Sequence, residues 1–182
     1  MHTRRLFLAS AAALAAAPAA AFELEPPLRP QTVSIRQDLE PGQIIILPRA
    51  HFLYFIEAPG QAIRYGVGVG RAGLEFTGTA RIGAKKEWPT WRPTNEMIER
   101  EPQLYQEFIN NDYVQPGGPT NPLGARALYL FQNGRDTFYR IHGTTAPQTI
   151  GRSVSNGCIR MLNEHVKDLY TRVPIGATVT VL

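Results

Sequence analysis

The stretch "RIHGTTAPQTIGRSVSNGCIRMLNEHVKDLY", residues 140–170, passes from the end of a strand-like run through turn residues into an amphipathic helix pattern. After Asn163, a residue suited to cap a helix, Val166, Leu169, Tyr170 and Val173 recur at helical spacing until Pro174 and Gly176 stop the run. Between strand and helix lies Cys158, the only cysteine of the chain, with His142 sixteen positions before it. The segment therefore sets strand, catalytic-type side chains and helix in one order, and the rest of the chain is read outward from it.

Upstream and downstream, the sequence reads mainly as strands. "TVSIR" (32–36), "QIIILP" (43–48), "HFLYFIEA" (51–58), "AIRYGVGV" (62–69), "ALYLFQ" (127–132), "TFYRIHG" (137–143) and "ATVTVL" (177–182) are short β-branched and aromatic runs separated by Pro, Gly, Asn and Asp. "EMIEREPQLYQEFI" (96–109) is helical in pattern but broken by Pro102, so two short turns are expected. The fold class is mainly β with a few short helices. Gly68, Gly70 and Gly73 spell G-x-G-x-x-G, but they lead into strand and turn rather than a helix, so close backbone approach is the better reading than a dinucleotide site.

The N-terminus carries Arg4-Arg5, an apolar run from Leu6 to Ala17, and small residues at Ala19 and Ala21. This is the order of a cleavable export signal over residues 1–21, and Thr3 to Leu8 resembles the twin-arginine consensus. The alternative, a membrane anchor, is disfavoured by the alanine-rich composition with Ser10 and Pro18, so no stable membrane insertion is expected after cleavage. The expected location is the periplasm or cell envelope. Residues 22–31, including the proline-rich "ELEPPLRP", read as a leader or linker, and 32–182 as one domain. Removing Arg4 and Arg5 lowers the net charge from +4 to +2, and the longest run of basic residues after them is Lys85-Lys86, so no nucleic-acid partner is expected.

A lone cysteine is most often a small buried hydrophobe. Here it belongs to an exported chain in which no internal disulfide can form, it follows the flexible Asn156-Gly157 pair, and a helix is expected soon after Arg160. Backbone N–H groups converging at such a place suit an oxyanion hole, and nearby cations and a helix N-terminus favour a thiolate. His142, at a strand end before Gly143, is either the base for Cys158 or a histidine that hydrogen-bonds a loop. His51 sits in a strand and His165 on the expected wet side of the helix. One cysteine with scattered histidines gives no zinc spacing, so no metal is expected.

"IHGT" (141–144) followed by "GRSVSNGCIRM" (151–161) resembles the active-site signature of the L,D-transpeptidase catalytic domain, the YkuD or ErfK family. "GVGRAGLEFTGTARIG" (68–83), "EWPTWRPT" (87–94) and "GGPTNPLGARALYL" (117–130) extend the resemblance over 32–182. It implies a β-sandwich-like domain that uses no cofactor and acts on peptidoglycan stem peptides, with an envelope protein as a further possible acyl acceptor. It implies Cys158 as nucleophile, His142 as general base and then acid, the Gly143 backbone carbonyl fixing the histidine tautomer, and the N–H groups of Cys158 and Gly157 as the oxyanion hole. Asn156, Ser155 and Arg160 are the candidate substrate-binding residues, with Arg160 either holding an acidic group or bracing the loop. Many members carry histidine where this chain has Asn156, which cannot titrate near neutrality. Residues 84–95, beginning around Lys85-Lys86, are expected to form a long loop in which Trp88 and Trp91 pack as an aromatic pair, and Arg126 to brace the 117–124 loop. Three activities remain open: acyl transfer to an amine, hydrolysis on the same scaffold, and wall binding without catalysis.

Overall fold

The computed structural model describes residues 22–182, so the expected export signal lies outside the described residues. Eleven strands and two helices follow in chain order: β1 (Gln31–Ser34), β2 (Ile44–Leu47), β3 (Phe52–Ala58), β4 (Gln61–Gly66), β5 (Val69–Gly70), β6 (Gly78–Glu87), α1 (Asn95–Arg100), β7 (Arg126–Gln132), β8 (Arg135–His142), β9 (Ser153–Ser155), β10 (Ile159–Arg160), α2 (Asn163–Arg172) and β11 (Thr178–Val181). Nine strands form one mixed sheet in the order β1-β4-β3-β2-β11-β6-β7-β8-β10, and β5 pairs with β9 separately. The mainly β expectation holds.

The large sheet curls back on itself. β4 lies near one end of the order and β10 at the other, yet Gly68, just past β4, bridges Arg160 of β10. Both bonds of that bridge form, Arg160 N–H to Gly68 O at 2.7 Å and Gly68 N–H to Arg160 O at 2.9 Å. The two faces thus enclose one core. Alternation supplies its side chains: Ile44 and Ile46 from β2, Ile82 from β6, Leu128 and Leu130 from β7, Ile141 from β8 and Val179 from β11 all point inward and are buried. α2 adds Val166 and Leu169 to the same cluster.

The glycines of the G-x-G-x-x-G run work through close backbone approach. No helix follows them; residues 71–77 turn and loop into β6. A Cβ on Gly68 would lie 2.5 Å from Thr149 O, and one on Gly70 would lie 2.9 Å from Gly157 Cα.

Five expectations need correction. Residues 22–30 are not a free linker: Leu24 is buried with Ile150 and Leu162, Leu28 packs against them, and Arg64 Nη2 donates to Pro27 O at 3.2 Å. β6 runs on through Lys85 and Lys86 to Glu87, because Lys85 Nζ donates to Tyr170 O (2.6 Å) and Val173 O (2.7 Å) and so satisfies carbonyls at the C-terminal end of α2. Asn163 does not cap α2. It is the first helical residue, and its amide accepts from Ala125 N–H (3.0 Å) and donates to Thr144 O (3.1 Å). Trp88 and Trp91 do not pair: Trp91 packs on Phe108 and Tyr105, with ring centroids 5.3 and 6.0 Å away, whereas Trp88 is exposed at φ +42°. Arg126 bonds Ala125 O at 2.7 Å and Glu87 of β6 at 3.1 Å, partners outside the 117–124 loop that it was expected to brace.

Overpacking at the bridge should be costly. Gly68→Ala is expected to lose about 2 kcal/mol or more in urea unfolding, since the new methyl meets main chain that cannot swing away. Gly73→Ala, with open space but φ +83°, should lose about 1 kcal/mol.

Candidate active site

β10 pairs in parallel with β8, Ile159 opposite Ile141 and Arg160 opposite His142. Period-2 alternation sends Ile141, Ile159 and Met161 into the core, all three being buried. The intervening residues Arg140, His142, Cys158 and Arg160 then emerge on the other face. This register brings the histidine and the thiol to the same face of adjacent strands. Met161 N–H holds the His142 carbonyl at 2.8 Å, so the backbone beneath the ring is fixed.

His142 is 4 % exposed, and its Nδ1 lies 2.5 Å from the Gly143 carbonyl oxygen. A carbonyl can only accept, so Nδ1 carries the proton and Nε2 is left bare as an acceptor. Position 143 has no room for a side chain, since a Cβ would sit 2.1 Å from Asn163 Oδ1. Close packing of this turn on the start of α2 thereby aims the carbonyl.

The cysteine loop is held from inside by Ser155. Its buried hydroxyl donates to Cys158 O at 2.6 Å and accepts from Gly157 N–H at 3.1 Å. Two expectations change. Ser155 supports the loop from beneath rather than facing substrate, and the Gly157 N–H is already bonded, which leaves the Cys158 N–H as the donor without an acceptor among the described residues. Gly157 itself is required by φ +119° and by Leu74 O and Tyr139 Cε1, each 2.5 Å from where its Cβ would be.

Asn156 also faces protein. Its Oδ1 accepts from Arg71 Nη2 (2.6 Å) and Arg100 Nη1 (3.2 Å), and its Nδ2 donates to Tyr105 Oη (3.1 Å). Arg71 in turn pairs with Glu101 at 2.5 Å and holds that carboxyl below its usual range by hydrogen bonding. Position 156 therefore ties the cysteine loop to the wall built by residues 95–108. Arg71, Tyr105 and Arg140 were missed in the sequence. Alternation two residues before His142 could have found Arg140; the other two meet the loop only through the tertiary fold. Arg140 is bound to Asp136 through both nitrogens, at 2.7 and 2.8 Å. Phe138, between them, is exposed at φ +62° and turns its carbonyl toward Cys158 Sγ at 3.9 Å.

The electrostatics favour an uncharged resting pair. Burial pushes the His142 imidazolium down to about 4, against the Gly143 hydrogen bond, with Arg160 and Arg140 adding to the fall. Burial also pushes the half-buried Cys158 thiol up, outweighing the pull of Arg140 and Arg160. Burial thus outweighs the expected pull toward a thiolate, and α2 begins only at Asn163, beyond β10. His165 is half-buried against Tyr65, 6.2 Å between ring centroids, rather than on a wet face. Among the described residues no cluster of three or more His, Cys, Asp or Glu could hold a metal, and no helix is long and apolar enough to cross a membrane.

The YkuD model, the L,D-transpeptidase catalytic domain, matches residues 41–181. The chain belongs to this family. Its relative YkuD from Bacillus subtilis (strain 168) is 32% identical over 155 residues, covering 81% of this chain and 80% of that protein. "Probable L,D-transpeptidase YbiS" from Escherichia coli (strain K12) is 35% identical over 152 residues, covering 82% of this chain and 47% of that protein. The L,D-transpeptidase domain here thus spans about half the length of YbiS. Among solved structures, a Brucella melitensis protein named "Probable carnitine operon oxidoreductase caia" is 55% identical at TM-score 0.58, covering 87% of this chain and 96% of that one. An Enterococcus faecium L,D-transpeptidase shares the fold at TM-score 0.54 and 16% identity, covering 79% and 50% of the two chains.

The uncharged pair has a direct readout, because one cysteine makes labelling unambiguous. The rate of Cys158 alkylation by iodoacetamide should keep rising past pH 9, above the ordinary thiol range. A plateau below pH 8 would show a stabilised thiolate and overturn this account.

Proposed function

We propose that this chain is a cysteine-dependent L,D-transpeptidase of peptidoglycan stem peptides. The observation that carries the reading is the bonded His142 Nδ1, which presents a bare Nε2 on the strand face that also bears the only thiol. Cys158 gives its proton to Nε2 as sulfur attacks the carbonyl between the third and fourth residues of a tetrapeptide stem. The Cys158 N–H donates to the oxyanion. Collapse breaks the C–N bond, and the imidazolium returns its proton to the departing D-alanine amine, leaving a thioester. An acceptor amine attacks the thioester and gives its proton to His142; collapse of that adduct breaks the C–S bond, and the imidazolium returns the proton to sulfur, regenerating the thiol.

Transfer rather than hydrolysis needs a second approach to the thioester. A groove of about 690 Å³ has Phe76, Asp136 and Tyr139 in its wall, and the Tyr139 ring also packs against Gly157, which supports that reading. A diaminopimelate side-chain amine is the proposed acceptor, with an envelope protein amine next. The proposed site of action is the periplasm or envelope, reached through the signal at residues 1–21.

Purified enzyme incubated with disaccharide tetrapeptide at rising concentration should yield cross-linked dimer in growing share; tripeptide alone at every concentration would favour the hydrolase. Cys158→Ala should abolish both products, and His142→Ala should cost at least about a thousandfold. Because neutral His142 is the base, kcat/KM should fall as pH drops through about 4 and not through 6.5. Export is checked by N-terminal sequencing of envelope material, which should begin at or near Phe22, and an intact Met1 would revive the anchor.

A further inference from the structure

Arg160 differs from the ion-paired arginines around the loop. Arg71 pairs with Glu101, Arg126 with Glu87 and Arg140 with Asp136, whereas the Arg160 guanidinium has neither a carboxylate nor a hydrogen-bond acceptor among the described residues. Its backbone is fixed by both bonds to Gly68, and its side chain leaves on the Cys158 and His142 face, half-buried. A partly desolvated guanidinium without a counter-charge is poised for an anion.

Tyr105 supplies a second donor. It is 7 % exposed, and its oxygen already accepts from Asn156 Nδ2 at 3.1 Å. The amide cannot be turned the other way, because its Oδ1 is held by Arg71 and Arg100. The phenol hydrogen must therefore point elsewhere, and no acceptor for it exists among the described residues. Burial raises the Tyr105 pKa, so the hydrogen stays on the oxygen, and the phenol and Arg160 act on each other electrostatically. Along the chain, Asn156, Cys158 and Arg160 follow at alternate positions, with Tyr105 lying against the first.

We propose that Tyr105 Oη–H and the Arg160 guanidinium form a carboxylate receptor beside Cys158, filled by the C-terminal carboxylate of the residue that leaves. The inference deepens the transpeptidase reading and rests on it for the identity of the peptide. That carboxylate lies one residue past the scissile carbonyl, within about 4–5 Å by standard backbone dimensions, and so falls near a receptor two residues from the nucleophile. Tyr105 and Arg160 then select peptides that end at the leaving residue, and Asn156 positions the phenol.

The test uses the full mature chain carrying Cys158→Ala, titrated by calorimetry with a synthetic tetrapeptide stem bearing either a free C-terminal carboxylate or a C-terminal amide. The acid is expected to bind at least about tenfold tighter than the amide. Adding Tyr105→Phe should cut that preference several-fold, and adding Arg160→Gln should bring it close to one, both with little change for the amide; Arg160→Lys should restore part of it. A preference that is unchanged in both variants, or no binding of either peptide, overturns the receptor. A stem with lysine in place of diaminopimelate separates the other carboxylate source: if Arg160→Gln weakens only the diaminopimelate stem, whichever its C-terminus, the receptor serves the third residue and the proposal falls. Turnover of the same peptides by the enzyme with Cys158 intact is measured in parallel. Absent turnover with the acid preference still lost in the variants would remove the transpeptidase reading and leave the receptor standing.

Discussion

Main chain lies directly on main chain where Gly68 and Gly70 meet residues 149–160, and the remainder of the site depends on that contact. Gly68 closes the curled sheet onto Arg160, and Gly70 rests against Gly157 at a distance no side chain would permit. Arg71 follows at once and reaches Asn156. A thiol on a loop needs its backbone held to a fraction of an ångström for in-line chemistry, and loops do not provide that by themselves. Here a glycine-lined seam on one side and the Ser155 hydroxyl on the other give the loop the rigidity of a strand.

The second organising feature is that the cleft keeps its reacting groups neutral while surrounding them with cations. Arg140 is neutralised by Asp136 and Arg71 by Glu101, whereas Arg160 contributes uncompensated charge on the strand face of the sulfur. Desolvation then decides the protonation states, lowering His142 and raising Cys158 together. An uncharged pair avoids the cost of a buried ion pair at rest and, in the proposed reaction, would defer charge separation until an oxyanion is present to be stabilised.

Much of this was legible in the sequence, for identifiable reasons. The strands announced themselves through β-branched runs between Gly and Pro, α2 through the spacing of Val166, Leu169 and Val173, and the Cys158 and His142 positions through the rarity of the thiol and the motif around it. The errors share a cause, which is that partners distant in sequence decide local roles. Lys85 and Lys86 look unsuited to a strand until α2 supplies carbonyls for Lys85. Ser155 and Asn156 look like ligand contacts until the Cys158 carbonyl and Tyr105 claim them. The Pro-rich 23–30 stretch looks like linker because Leu24 and Leu28 are only two apolar residues, too few to show a period, yet they suffice to fill a surface pocket.

That N-terminal strap gives the molecule a mechanical order of failure. Leu24 and Leu28 sit on Ile150 and Leu162, the residues that lead into the 151–158 loop and into α2, and the strap continues directly into edge strand β1. Lifting the chain from Phe22 onward would strip these apolar contacts first, and only afterwards load the sheet. The cysteine loop and the strap are thus coupled through four apolar side chains, so that loss of the strap would be felt at the cleft before the body of the domain began to yield.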